Sequence, residues 1–192
     1  TTNISGGVNV IIRHISMLRN KGYDVSVINM DNNNTDIESK WGKVYVLKKH
    51  KMKISARVDT MVASLWATLD YVKKCPCVKN KMYLVQNFET DFASFGQYMR
   101  IEANATYQDM TGVKYLTISK WCQNWLADKY HKDSRYAPNG IDLKQFEFKE
   151  RKFKGKIKIL IEGNSDDYYK NVDESFKIVE KLDKDKYEIQ FL

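Results

Sequence analysis

Two stretches, Tyr83-Leu84-Val85-Gln86-Asn87-Phe88-Glu89 and Tyr115-Leu116-Thr117-Ile118-Ser119-Lys120-Trp121, share one layout. In each, a short apolar run releases polar groups at its carboxyl end. In the second, a serine stands where a helix N-cap belongs. The first predicts a strand over residues 82–85. The second predicts a strand over 115–118 leading into a helix over 120–130 capped by Ser119, and residues 95–108 between them read as a weaker helix. Strands alternating with helices predict a parallel sheet covered on both faces, an α/β fold of Rossmann-like type.

The pattern extends in both directions. After Gly6-Gly7, the apolar positions Val10, Ile11, Ile15 and Leu18 recur at helical spacing until Lys21-Gly22, where glycine supplies a stop. Residues 25–30 then read as a buried strand, 31–40 as a polar, turn-rich stretch, and 44–47 as a second strand, followed by a basic loop over 48–53. Val58, Met61, Val62, Leu65, Leu69 and Val72 stand three and four residues apart, which predicts one long amphipathic helix over 56–73. Pro138-Asn139-Gly140 is a turn signal. After the charged stretch 149–156, a strand (157–161), a helix (172–182) and a strand (187–192) begin another β-α-β unit. The expected organisation is a Rossmann-like domain over 1–150 and the beginning of a second over 151–192. That second part is too small to bury a core of its own, so the chain reads as part of a longer one.

Composition narrows the classes. With 43% hydrophobic and 12% aromatic residues the chain is not of the disordered or collagen-like kind. No run is long and apolar enough to span a bilayer, so a cytoplasmic protein, or one peripheral to the inner face of a membrane, is expected. Cys75, Cys77 and Cys122 form an odd set that suits neither a disulfide framework nor a four-ligand zinc site, and a reducing compartment follows. A formal net charge of +8 favours an anionic partner: nucleic acid, a phospholipid surface or a nucleoside diphosphate. The lysines are spread through loops rather than interleaved with aromatics, which argues against nucleic acid. Lys48, Lys49, Lys51 and Lys53 cluster in one loop and are candidates for contact with an anionic membrane surface, a solvated loop being the alternative.

Four segments can carry chemistry. Gly6 and Gly7 open a helix, where backbone N–H groups attract phosphate or sugar oxygens and glycine permits close approach. Gln86 and Glu89 follow a strand, on the edge where open α/β sheets bind ligands. Ser119 and Lys120 open another helix on that edge. Asn139 and Gly140 form the fourth segment together with the loop from Gly163 to Lys170, a strand-to-helix junction whose cation and N–H groups can hold a diphosphate. Each has a plainer alternative as a turn, cap or solvated loop. His14, His50 and His131 read as surface or packing residues, so no catalytic residue is assigned.

In order and spacing these segments resemble the retaining glycosyltransferases of family 4, which have the two-domain GT-B architecture. The resemblance rests on the Gly-Gly loop and helix, on Asn20-Lys21-Gly22-Tyr23-Asp24-Val25, on Thr117-Ile118-Ser119-Lys120, and most specifically on Pro138-Asn139-Gly140-Ile141-Asp142-Leu143 with Phe146. Gln86-Asn87-Phe88-Glu89 is similar to an element of bacterial polysaccharide and rhamnosyl transferases. The resemblance implies transfer of a hexose, with retention, from a nucleoside diphosphate sugar to a saccharide or lipid-linked acceptor, without a metal or other cofactor. It places Gly6, Gly7, Asn139, Gly140, Gly163 and Lys170 on the donor side, and Gln86, Glu89, Ser119 and Lys120 in the acceptor cleft. Gly163 and Lys170 match the family's phosphate loop, while Asn164 replaces its arginine and Asn171 its following glycine. A sugar- or nucleotide-binding module without turnover is the alternative, because fold does not fix function.

Overall fold

The computed structural model describes residues 5–30, 44–46 (backbone only), 54, 57–108, 111–150 and 154–192. The chain divides into two compact units, Thr1–Asn139 and Gly140–Leu192. The boundary expected near residue 150 falls inside the second unit.

The first unit opens with α1 (Gly6–Asn20), whose N-cap Ser5 accepts the Val8 N–H at 3.3 Å. The helix stops where the sequence signals it. Gly22 takes a φ of 85°, and the Gly22 and Tyr23 N–H groups turn back onto the Arg19 and Leu18 carbonyls. Arg19 reaches forward, its Nη2 donating to the Val25 carbonyl at 2.6 Å, which ties the helix end to the entry of β1 (Val27–Asn29). Val8 and Ile15 pack with Ile11, Ile12, Val25 and Val27. β1 pairs in parallel with β2 (Val44–Val46).

A four-stranded sheet follows, in the order β3 (Val58–Ala63), β4 (Val78–Val85), β5 (Val113–Thr117), β6 (Ser134–Tyr136), and every pairing is parallel. The helices α2 (Trp66–Lys74), α3 (Tyr98–Gln108) and α4 (Lys120–Tyr130) alternate with these strands. The fold is α/β and Rossmann-like. Its core joins Tyr83 and Val85 of β4 to Leu69 and Val72 of α2, Tyr107 of α3, Tyr115 of β5, and Trp125 and Leu126 of α4. Ser119 caps α4 as expected, its Oγ accepting the Cys122 N–H at 3.1 Å.

Three expectations change. In place of the single helix expected over 56–73, the described residues 57–73 form a strand, a two-residue link and a shorter helix. Val58, Thr60 and Val62 are β-branched, and Met61 and Ala63 are buried while Thr60 and Val62 between and beside them are exposed. That alternation suits a strand that pairs with β4, and only Leu69 and Val72 keep the helical stripe. Pro138-Asn139-Gly140 is not a turn, and Gly140 takes no positive φ. The chain turns just beyond it, where the Asp142 side chain accepts the Lys144 N–H at 2.9 Å and its carbonyl accepts that of Phe146 at 2.8 Å. Finally, β6 is a strand that sequence reading passed over. Its three residues are too few to show a period, and it exists by pairing with β5. The polar stretch 31–40 and the basic loop with Lys48, Lys49, Lys51 and Lys53 lie outside the described residues.

The second unit is a β-α-β element, as expected: β7 (Ile157–Ile161), a 3-10 turn (Tyr168–Lys170), α5 (Val172–Val179) and β8 (Tyr187–Phe191). β7 and β8 pair in parallel, and Phe176 of α5 packs on Phe191 with ring centroids 5.3 Å apart.

Candidate functional site

The register of the four-stranded sheet aligns the carboxyl ends of its strands. Ala63 lies opposite Tyr83, Val85 opposite Thr117, and Thr117 opposite Tyr136. The segments that leave these ends therefore share one edge: Ser64 and Leu65 before α2, Gln86 to Glu89, Ser119 before α4, and Ala137. In an open parallel sheet this edge is where ligands bind.

Gln86 also meets the start of α1. A Cβ placed on Gly7 would stand 3.3 Å from Gln86 Nε2 and 3.5 Å from Oε1, so glycine is what lets the helix start and the amide lie against each other. Gln86 Oε1 is enclosed without a hydrogen-bond partner. Gly6, one residue earlier, has no neighbour within 4 Å of its Cβ position. The first turn of α1 carries no acidic side chain, which leaves the positive end of the helix dipole uncompensated from within the helix. Two glycines expected to admit a ligand thus differ: Gly7 is packed against the strand end and Gly6 faces open space.

Glu89 occupies a different setting from the open cleft wall expected of it, being only 2% exposed. Its Oε2 accepts the Trp66 N–H at 2.5 Å, at the first turn of α2, and the Tyr83 hydroxyl at 2.7 Å. Its own N–H donates to the Tyr107 hydroxyl at 3.1 Å, and the Tyr83 and Tyr107 rings stack with centroids 6.1 Å apart. Burial pushes the carboxyl up to about 7, against the opposing pull of the Tyr83 and Trp66 hydrogen bonds. The same burial, with the Glu89 charge next, drives the Tyr83 and Tyr107 hydroxyls upward, so both remain protonated, Tyr83 as a donor to Glu89 and Tyr107 as the acceptor of its N–H. Glu89 is the hub of a buried network that joins β4, α2 and α3 directly beneath the edge.

The remaining candidates separate. Ser119 is engaged as a cap. Lys120 donates to Gln123 Oε1 at 3.0 Å and lies 4.6 Å from the centroid of the Tyr136 ring, so its charge lies against the α4–β6 side of the same edge. Asn139 and Gly140 are the last residue of the first unit and the first of the second. In the second unit, Gly163 has a φ of 154°, and a Cβ there would come within 2.9 Å of Val172 Cγ2 and 3.5 Å of Lys170 Cβ. Gly163 and Lys170 are therefore brought together, with Lys170 exposed and followed by Asn171 in the left-handed region. The loop is not uniformly cationic: Glu162, Asp166, Asp167, Asp173 and Glu174 surround that one lysine in sequence. Among the described residues no group of three or more His, Cys, Asp or Glu side chains could hold a metal ion, and no helix is long and apolar enough to cross a membrane.

Sequence reading missed the partners that define the Glu89 network. Tyr83 looked like an ordinary strand residue, Tyr107 lay in the helix with the weakest signal, and the Trp66 N–H carries no side-chain signature at all. Comparison with known proteins adds no further assignment: no protein-family profile, curated protein or solved structure matches the chain.

Proposed function

We propose that this chain is the acceptor-side domain and the first elements of the donor-side domain of a retaining GT-B glycosyltransferase. Its substrate would be a nucleoside diphosphate sugar, and its acceptor a saccharide or a lipid-linked saccharide of a cell-surface polysaccharide or glycoconjugate. It would act in the cytoplasm, free or against the inner face of a membrane. The observation that carries this reading is the meeting of Gly7 with Gln86 at the carboxyl edge of a parallel sheet, where a glycine-opened helix start and a polar strand end converge. Retention without a protein nucleophile relies on holding donor and acceptor in line and on stabilising the leaving diphosphate. Backbone N–H groups at the α1 start and the Lys170 ammonium suit those tasks. Glu89, enclosed by its partners, would act by holding the Gln86–Glu89 segment in place.

A second reading, a sugar- or nucleotide-binding module without turnover, draws support from the full engagement of Glu89 and from the carboxylates around Lys170. The two are separated by incubating the natural-length protein with a panel of nucleoside diphosphate sugars and measuring release of free nucleotide, with and without saccharide acceptors. Acceptor-stimulated release supports the transferase. Saturable binding with no release supports the module, and neither binding nor release removes both.

A further inference from the structure

Cys75 and Cys77 hold their sulfurs 3.5 Å apart on either side of Pro76, at the amino edge of the four-stranded sheet, where α2 ends and β4 begins. The Cys77 thiol is half-buried and donates to the Ile54 carbonyl at 3.3 Å, while Cys75 is buried behind it. The backbone around them is fixed: the Cys77 carbonyl accepts the Val58 N–H at 3.1 Å, in the first rung between β3 and β4. The Tyr71 hydroxyl, enclosed and without a hydrogen-bond partner, lies in the field of both sulfurs, and burial pushes the Cys75 thiol up against the weaker opposing pull of the Lys81 ammonium, which leaves Cys77 as the first sulfur to react. Two thiols in contact, one of them half-exposed, are unlike Cys122, which is 1% exposed in α4 with no second cysteine beside it.

We propose that Cys75 and Cys77 form a reversible thiol–disulfide site that exchanges with low-molecular-weight disulfides of the glutathione type. The more accessible Cys77 sulfur, having released its proton to solvent, attacks one sulfur of the external disulfide. A mixed disulfide forms and one external thiol leaves. Cys75 then gives up its proton and attacks the Cys77 sulfur, forming the internal bond and expelling the second external thiol. Two protein thiols are oxidised and one external disulfide is reduced to two thiols. The sulfurs must close from 3.5 Å to about 2 Å, a movement that side-chain rotation across a single intervening residue can supply. So small a ring removes little chain entropy and is bent, which makes the bond easy to reduce again. The pair is therefore suited to switching and not to stapling, and its oxidation withdraws the hydrogen bond from the Ile54 carbonyl.

The test equilibrates the chain in glutathione buffers of rising oxidised fraction, traps free thiols by alkylation and reads each cysteine-containing peptide by mass spectrometry. The expected result is an internal Cys75–Cys77 bond, marked by the loss of two hydrogens, that accumulates with the oxidised fraction and vanishes in dithiothreitol. Cys122 should stay reduced throughout. Cys75→Ser should stop at a glutathione adduct on Cys77, and Cys77→Ser should leave Cys75 unmodified over the same period. A wild-type chain that shows no internal bond in fully oxidised buffer, retains glutathione on Cys77, or links to a second chain instead would overturn the proposal. That wild-type measurement decides the matter even if a variant fails to fold.

Discussion

The Glu89 carboxylate and the Trp66 backbone N–H, 23 residues apart in sequence, meet at 2.5 Å and fix the first turn of α2 to the segment that leaves β4. A carboxylate at a helix start is favourable on electrostatic grounds, and here it also serves the buried Tyr83 hydroxyl. Removing it strands both donors. Glu89→Ala should cost about 2–5 kcal/mol of folding stability, whereas Glu89→Gln, which keeps an acceptor oxygen, should cost clearly less. Urea denaturation of the three proteins at pH 7 checks this, and equal losses for the two variants would show that the carboxylate oxygen is not the acceptor that matters.

The same carboxyl gives stability a particular dependence on pH. Its folded value of about 7 lies above the ordinary 4.5, so between the two the folded chain keeps a proton that the unfolded chain has released. The stabilising contribution is fully present below pH 4.5 and is lost as pH rises through 7, the reverse of an ion-paired carboxylate. The full gap corresponds to about 3 kcal/mol. The wild-type chain should therefore lose stability relative to Glu89→Gln as pH rises from 4.5 to 8. Parallel urea midpoints for the two proteins across that range would refute the assignment.

Gly6 and Gly7 should respond differently to alanine. Gly6→Ala meets nothing within 4 Å and, within a helix, should gain up to about 1 kcal/mol. Gly7→Ala brings a methyl group to 3.3 Å from the Gln86 amide and should forfeit that gain unless the amide shifts. Combining Gly7→Ala with Gln86→Ala should recover it, a coupling of about 0.5–1 kcal/mol in a double-mutant cycle. Additive effects would mean the two residues do not press on each other in solution.

Gly163→Ala should destabilise the second unit by about 2 kcal/mol or more, since its φ of 154° is unfavourable to a side chain and the new methyl would lie 2.9 Å from Val172 Cγ2. Val172→Ala in the same chain should relieve the clash and leave the backbone cost, so recovery should be partial. Complete recovery, read by thermal denaturation, would show that crowding alone makes glycine necessary there.

Lys170→Ala in the natural-length protein should lower acceptor-stimulated nucleotide release by about 10²-fold if the ammonium meets the leaving diphosphate in a shielded site. An unchanged rate would place the diphosphate elsewhere, consistent with the carboxylates that crowd this loop.

Local signals made most of the element order legible. The cap at Ser119, the stop at Gly22 and the apolar runs of β1, β4, β5, β7 and β8 act within a few residues of themselves, and each element formed there, although β4 begins four residues before the strand read over 82–85, at Val78. The common direction of the strands then follows from their being joined by helices, so the shared edge bearing Gln86 and Ser119 could be foreseen. Residues 56–73 could not be read this way. Their spacing satisfies a helix, but β4 offers Val58–Ala63 a ladder of backbone hydrogen bonds that outweighs a local preference worth well under 1 kcal/mol per residue. Glu89 marks the same limit at the site. Its position after a strand is written in the sequence, yet whether it faces solvent depends on Tyr83, Tyr107 and the Trp66 N–H, which reach it only once α2 and α3 pack against the sheet. The sequence by itself determined most of the elements and which residues leave the strand ends, whereas β3 and β6 formed through pairing with β4 and β5. Tertiary packing alone decided that Glu89 is enclosed and Gly7 pressed against Gln86, because burial and long-range hydrogen bonds are properties of the assembled core and of no local segment.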